Sequence, residues 1–133
     1  SAYAGREAFL NDHKIRVRQD PTIDNESLVL VYSRFHNDFS SNFPGKIRNL
    51  GSSAGHLAYV ARSAADACIM KNVTVRDLAA GSIILEAAGG EIRYMNGDRF
   101  HVGDILDGRR VEEPLIAAPR GSWESFAHYF KRL

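Results

Sequence analysis

The segment TVRDLAAGSIILEAAGGEI, residues 74–92, constrains the fold of this chain more than any other. Over 78–88 its side chains are small or apolar on nearly every face of a helix, so the helix they predict cannot lie on a surface with one side in water. It has to be sandwiched between other layers. Gly89-Gly90 supply the left-handed stop that ends many helices. At the front, Thr74 is a suitable N-cap, and Asp77 follows three residues later, where a capping-box side chain reaches back to the free backbone N–H groups of the first turn. A carboxylate there also faces the positive end of the helix dipole, an effect of about 0.3–1 kcal/mol at an exposed site. Asp77 therefore has a sufficient structural explanation, and a role as metal ligand needs independent support.

Elsewhere the chain alternates strand and helix signals. Ala8-Phe9-Leu10 and Lys14-Ile15-Arg16-Val17 flank the turn-forming pair Asn11-Asp12, which predicts a hairpin. LVLVY, 28–32, is a continuous apolar run suited to a mid-sheet strand covered on both faces. Residues 36–45 read as a short helix or ordered loop, and 46–50 alternate like a strand. In GSSAGHLAYVARSAADA, Gly51 permits a tight strand-to-helix turn, Ser52 is an N-cap, and Ala54, Leu57, Ala58, Ala61 and Ala65 make a small-residue stripe for close packing. Strands are expected over 67–70, 91–94 and 114–118, with Asn96-Gly97 as a turn and 99–105 as an irregular return segment. Trp123, Phe126, Ala127 and Phe130 recur at the spacing of a C-terminal helix and read as core. The pattern as a whole predicts an α/β fold, a mixed β-sheet flanked by helices on both faces.

Bulk properties narrow the partners. A chain of 133 residues fits a single domain, and 17 basic against 16 acidic residues leave a formal charge of +1. No long-range field then favours nucleic acid or a membrane surface, so any anionic ligand must be held locally. The single cysteine, Cys68, excludes an internal disulfide or a cysteine zinc cluster and suits a reducing compartment, with the cytoplasm as the default expectation. It lies among apolar residues and reads as a small core residue. His13, His36, His56, His101 and His128 lack paired ligand spacing and are expected to be surface or locally bonded side chains. Ser52 and Ser53 have no nearby base in a nucleophile-elbow context, which argues against serine hydrolase chemistry.

One constellation could carry chemistry. Gly51, Ser52, Ser53 and Ala54 stand where a strand hands over to a helix, so free N–H groups point at whatever occupies the turn, although such a sequence is more often only a turn and a cap. Asp77 opens the next helix. Two helix starts near one sheet edge would put a carboxylate beside an anion site, the pairing that a metal-dependent phosphatase needs.

These residues also have a familiar look. IRNLGSSAGHLAYVARSAADACI followed by VRDLAAGSIILEAAGGEI resembles the C-terminal half of the inositol monophosphatase family, whose signature there is Trp-Asp, a spacer, Ala-Gly, and an acidic-Ala-Gly-Gly helix end. GREAFLNDHKIRV resembles the strand pair that follows the active-site motifs of that family. The resemblance covers most of the chain and implies the C-terminal half of the sugar phosphatase αβαβα fold. It further implies that Asp77 completes a Mg²⁺ site, that Gly51, Ser52 and Ser53 line the substrate pocket, and that the substrate is a phosphorylated small molecule. The family's other metal ligands belong to a Glu-Glu segment and an Asp-Pro-Ile-Asp-Gly-Thr motif, neither of which occurs in its expected context between Ser1 and Leu133. No phosphatase activity is therefore expected of this chain alone, and an apolar surface left uncovered would favour self-association into a homo-oligomer. Arg76 stands in place of the usual tryptophan, and Met70 where many inositol-cleaving members carry an acid, so a different sugar phosphate or a 3′-phosphonucleotide stays open as substrate. A non-catalytic binding or assembly module that retains the fold is the competing expectation.

Overall fold

The computed structural model describes residues 8–10, 13–15, 22–51, 53–100 and 113–133, with the backbone alone for 8–10, 13–15, 53–54, 75–77 and 80. Its centre is a five-stranded sheet in the order β5-β3-β6-β8-β7. These strands are β3 (Leu28–Val31), β5 (Lys46–Arg48), β6 (Ala67–Met70), β7 (Gly90–Tyr94) and β8 (Leu115–Pro119). β5, β3 and β6 run parallel, while β8 is antiparallel to both β6 and β7. The expected mixed sheet is present, and the 28–32 run lies inside it.

Strand periodicity divides the core in two. Leu30, Cys68, Met70, Leu115 and Ala117 face one side, where they meet Leu57, Val60 and Ala61 of helix α2 (Ser53–Ala61) and Leu78, Leu85 and Ala88 from the region of helix α3 (Val75–Ala87). Val29, Val31, Ala67, Ile69, Ile116 and Ala118 face the other, against Phe35 of helix α1 (Phe35–Asp38) and Phe126 and Ala127 of helix α4 (Trp123–Ala127). Helices thus cover both faces. Each fully buried Leu, Ile, Val or Phe contributes about 1.5–3 kcal/mol, so the two clusters are the main source of stability.

The helix expected over this segment forms, but it is not enclosed on every side: Leu78, Leu85 and Ala88 are buried against the sheet and α2, while Ile83, 43% exposed, and Glu86 face water, so the apolar pattern overstated its burial. Thr74 holds the N-cap position, its carbonyl accepting from Leu78 N–H at 3.1 Å, and the chain leaves the helix through Gly89 at φ +98°. Gly90 already belongs to β7. The N-terminal hairpin forms from β1 (Ala8–Leu10) and β2 (His13–Ile15), paired antiparallel, while its turn and residues 16–17 lie outside the described residues. Gly97, at φ +99°, makes the expected turn with its N–H on Tyr94 O.

Two expectations need correction. Residues 36–45 hold not only a short helix but a strand, β4 (Phe39–Ser41), which pairs antiparallel with β9 (Phe130–Arg132). The C-terminal helix stops at Ala127, so Phe130 is a buried strand residue rather than the last turn of a helix. The physical reason is the same for both: β4 offers Phe130 a hydrogen-bonding partner strand, and Phe35 and Phe43 give its ring an aromatic site that a continued helix would not reach. Among the described residues no helix is long and apolar enough to cross a membrane.

Candidate functional site at the carboxyl edge of the sheet

Because β5, β3 and β6 are parallel, their carboxyl ends deliver three successive turns to one edge of the sheet. The turn after β5 runs into α2, and the turn after β6 runs into α3, so both helix starts lie on that edge. In open α/β sheets ligands bind in this position, outside the carboxyl ends of the strands. Gly51 makes the β5–α2 turn at φ +85°, a conformation that side-chain-bearing residues rarely adopt, and the space around it is open.

Two side chains hold this turn from within. The Asn49 carboxamide accepts the Gly51 N–H on Oδ1 at 2.8 Å and donates from Nδ2 to Ser33 Oγ at 3.1 Å, linking the turn to the end of β3. His56, only 3% exposed, accepts the Leu50 N–H on Nε2 at 3.0 Å. That bond requires Nε2 to be unprotonated, so the ring is neutral with its proton on Nδ1. Burial acts in the same direction and lowers the pKa of His56 below 6.5.

Between the ends of β3 and β6 opens a cavity of about 480 Å³, lined by Tyr32, Ser33, Arg34, Asp38, Lys71 and Asn72 among others. Asp38 accepts from Lys71 Nζ at 2.8 Å and from Tyr32 Oη at 2.6 Å. These two hydrogen bonds, Lys71 first, hold its carboxyl below the usual range. Burial, followed by the bond to Asp38, raises the Tyr32 phenol well above its ordinary value. Asp38 is thus held by Lys71 and Tyr32 in one hydrogen-bonded network. A second cavity of about 520 Å³, between Phe39, Tyr94, Met95, Pro114, Phe130 and Arg132, borders none of the residues predicted for the site.

The predicted site residues distribute as follows. Gly51 lies on the carboxyl edge, Ser53 begins α2 on the same edge, and Asp77 is in the first turn of α3, which also starts there. The folding pattern therefore gathers the segments that carry Gly51, Ser53 and Asp77. Ser52 and the side chains of Ser53, Arg76 and Asp77 lie outside the described residues. Met70 is fully buried among Leu30, Cys68 and Leu115 and presents no polar atom to a ligand. Cys68 is equally buried, and burial pushes its thiol up to about 12, in keeping with a core residue. His36 and His128 are exposed, as expected of surface histidines.

Sequence reasoning missed Asn49, His56 and the Tyr32–Asp38–Lys71 network. Asn two residues before Gly is the pattern of an Asx turn and could have revealed the first. Nothing in the spacing reveals the other two. A Mg²⁺ ion takes about six oxygen ligands. Among the described residues no three His, Cys, Asp or Glu side chains gather, and Asp38 is already engaged, so these side chains do not by themselves fit the ion.

Comparison with known proteins agrees with this geometry. The sequence profile of the inositol monophosphatase family matches residues 1–130. The chain is 31% identical over 128 residues to the chloroplastic phosphatase IMPL1 of Arabidopsis thaliana, covering 87% of this chain and 34% of that protein. It is 36% identical over 122 residues to the fructose-1,6-bisphosphatase/inositol-1-monophosphatase of Methanothermobacter thermautotrophicus, covering 88% of this chain and 42% of the relative. It therefore spans less than half the length of either relative. Among solved structures, the inositol monophosphatase of Anabaena superposes with a TM-score of 0.72 at 20% identity, over 96% of this chain and 52% of that one, which shows the shared fold. The Staphylococcal IMPase-II in complex with 2′-AMP gives a TM-score of 0.74 at 16% identity, over 95% of this chain and 49% of that one. By sequence and by fold, the chain belongs to the inositol monophosphatase family.

Proposed function

We propose that this chain is the C-terminal part of a Mg²⁺-dependent phosphomonoesterase acting on a phosphorylated small molecule, an inositol phosphate or a related sugar phosphate. The observation that carries the reading is the convergence of two helix starts, those of α2 and α3, on the carboxyl edge of three parallel strands. Helix N-termini favour anions through their free N–H groups and dipole, and the glycine turn leaves open space beside the first of them. In this reading Gly51, Ser52 and Ser53 bind the substrate, and Asp77 is one carboxylate ligand of the ion. The remaining ligands come from outside residues 1–133, which form one C-terminal domain. The formal charge of +1 supports a small anionic substrate held locally rather than nucleic acid or a membrane.

The test is phosphate release from a panel of sugar phosphates and 3′-phosphonucleotides by the intact protein, with and without EDTA, beside the purified 133-residue chain. The expected result is Mg²⁺-dependent release by the intact protein and none by the isolated chain. Release that survives EDTA, or turnover by the chain alone, contradicts the reading.

A further inference from the structure

We infer that the cavity between the ends of β3 and β6 holds the part of the substrate remote from the scissile phosphate, and that Arg34 and Lys71 there select a substrate carrying a second acidic group. The inference rests on the phosphomonoesterase reading and deepens it by naming the substrate class.

The sheet order sets where the cavity opens. From β3 the chain passes to β5 on one side, and from β5 it crosses through α2 to β6 on the other, so the connections diverge between β3 and β6. In open α/β sheets the crevice at such a switch point, outside the carboxyl ends of the strands, is where ligands bind. The cavity of about 480 Å³ lies there, within the roughly 300–1,000 Å³ of small-molecule sites. Among the described residues that line it, Arg34 and Lys71 stand against Asp38, so positive charge is in excess. Asp38 is already engaged by Lys71 Nζ at 2.8 Å and Tyr32 Oη at 2.6 Å. The Arg34 guanidinium, by contrast, has no hydrogen-bond or ion-pair partner among the described residues. A planar guanidinium pairs a carboxylate or a phosphate through two parallel hydrogen bonds. Beside it, Ser33 Oγ accepts from Asn49 Nδ2 at 3.1 Å and so keeps its own proton for a further acceptor. Asn49 also holds the Gly51 N–H, which makes the cavity adjoin the β5–α2 turn. Substrate hydroxyls alone would leave the Arg34 charge uncompensated, whereas an acidic group meets it.

The test compares glucose 1-phosphate, glucose 1,6-bisphosphate and glucuronic acid 1-phosphate as substrates of the intact protein with Mg²⁺. They differ only in the group at the carbon farthest from the shared phosphate. The uronic acid carries a carboxylate and a single cleavable phosphate, so it separates recognition of an acid from the presence of a second phosphate. Arg34→Gln removes the charge at an exposed position, Arg34→Lys keeps it, and melting temperatures are followed in parallel. The expected result is a kcat/KM at least about tenfold higher for the acid-bearing substrates than for glucose 1-phosphate, a preference that falls about tenfold in R34Q and is largely kept in R34K. Preference for the bisphosphate alone supports the inference with phosphate as the second group, and preference for both supports any acid. Equal kcat/KM for the three substrates in the wild type overturns the inference and leaves the phosphomonoesterase reading standing. A preference that survives in R34Q, or an equal loss on all three substrates, overturns it too, because the Arg34 charge then does not select. No Mg²⁺-dependent release from these substrates or from the wider sugar phosphate panel contradicts that reading and takes this inference with it.

Discussion

At the carboxyl edge, single titratable groups are set by their immediate partners, and the direction of each shift is open to measurement. His56 is neutral in the fold and its pKa is lowered by burial, so the unfolded chain takes up the proton first as pH falls. Stability is therefore full above the unfolded value of 6.5, declines as the pH drops below it, and levels off once the folded histidine is also protonated. Denaturant midpoints of wild-type and H56Q protein across this range should diverge, the wild type losing more stability toward acid. Asp38 shows the opposite chemistry. Lys71 is the first cause of its lowered pKa, and both side chains are only about a quarter exposed or less, at 23% and 22%. Lys71→Met should raise the Asp38 carboxyl toward its ordinary value, read by carboxyl-carbon NMR titration; an unchanged titration would show that the Tyr32 hydroxyl suffices.

At the level of elements, the α2–α3 packing fixes how the two helix starts are spaced. Gly81 of α3 makes this approach possible, because a Cβ there would lie 2.6 Å from Leu57 Cδ1 and 3.2 Å from Leu57 Cβ. Replacing glycine by alanine within a helix gains about 0.8–1 kcal/mol of propensity, but overpacking a filled core costs about 1–3 kcal/mol. The packing term wins. Gly81→Ala is thus expected to be destabilising despite its helix propensity, Gly81→Val more so, and a Leu57→Ala/Gly81→Ala pair less than the sum of its parts, all read from chemical denaturation. The elements also show what the sequence could disclose. Strands with one dominant signal, such as 28–31 and 67–70, were legible because apolar runs bounded by polar residues leave few alternatives. The β4–β9 pair was not, since Phe39 and Arg132 lie far apart in the sequence with no local signal joining them, and the 123, 126, 127, 130 spacing suits a helix as well as a helix followed by a turn into a strand.

On the scale of the whole molecule, the sheet order explains why the edge that carries Gly51 and the start of α3 could be anticipated. Gly51 and Asp77 announce helix starts locally, and alternation of strands and helices implies that such starts share an edge. The two side-chain contacts before α2 escaped because they depend on side chains that fold back onto the backbone, Asn49 onto Gly51 and His56 onto Leu50, and neither pairing has a periodic signature. Met70, buried in the core, leaves that position without a polar contact. The central claim is that the start of α3 contributes a carboxylate to a phosphate-cleaving centre completed by residues outside this chain. Its most direct test is Asp77→Asn in the intact protein, assayed for Mg²⁺-dependent phosphate release beside its melting temperature. The account predicts a loss of at least about 100-fold in turnover with little change in stability, comparable to removing a group that stabilises transition-state charge. Turnover that survives the substitution, or a loss explained entirely by unfolding, would contradict it.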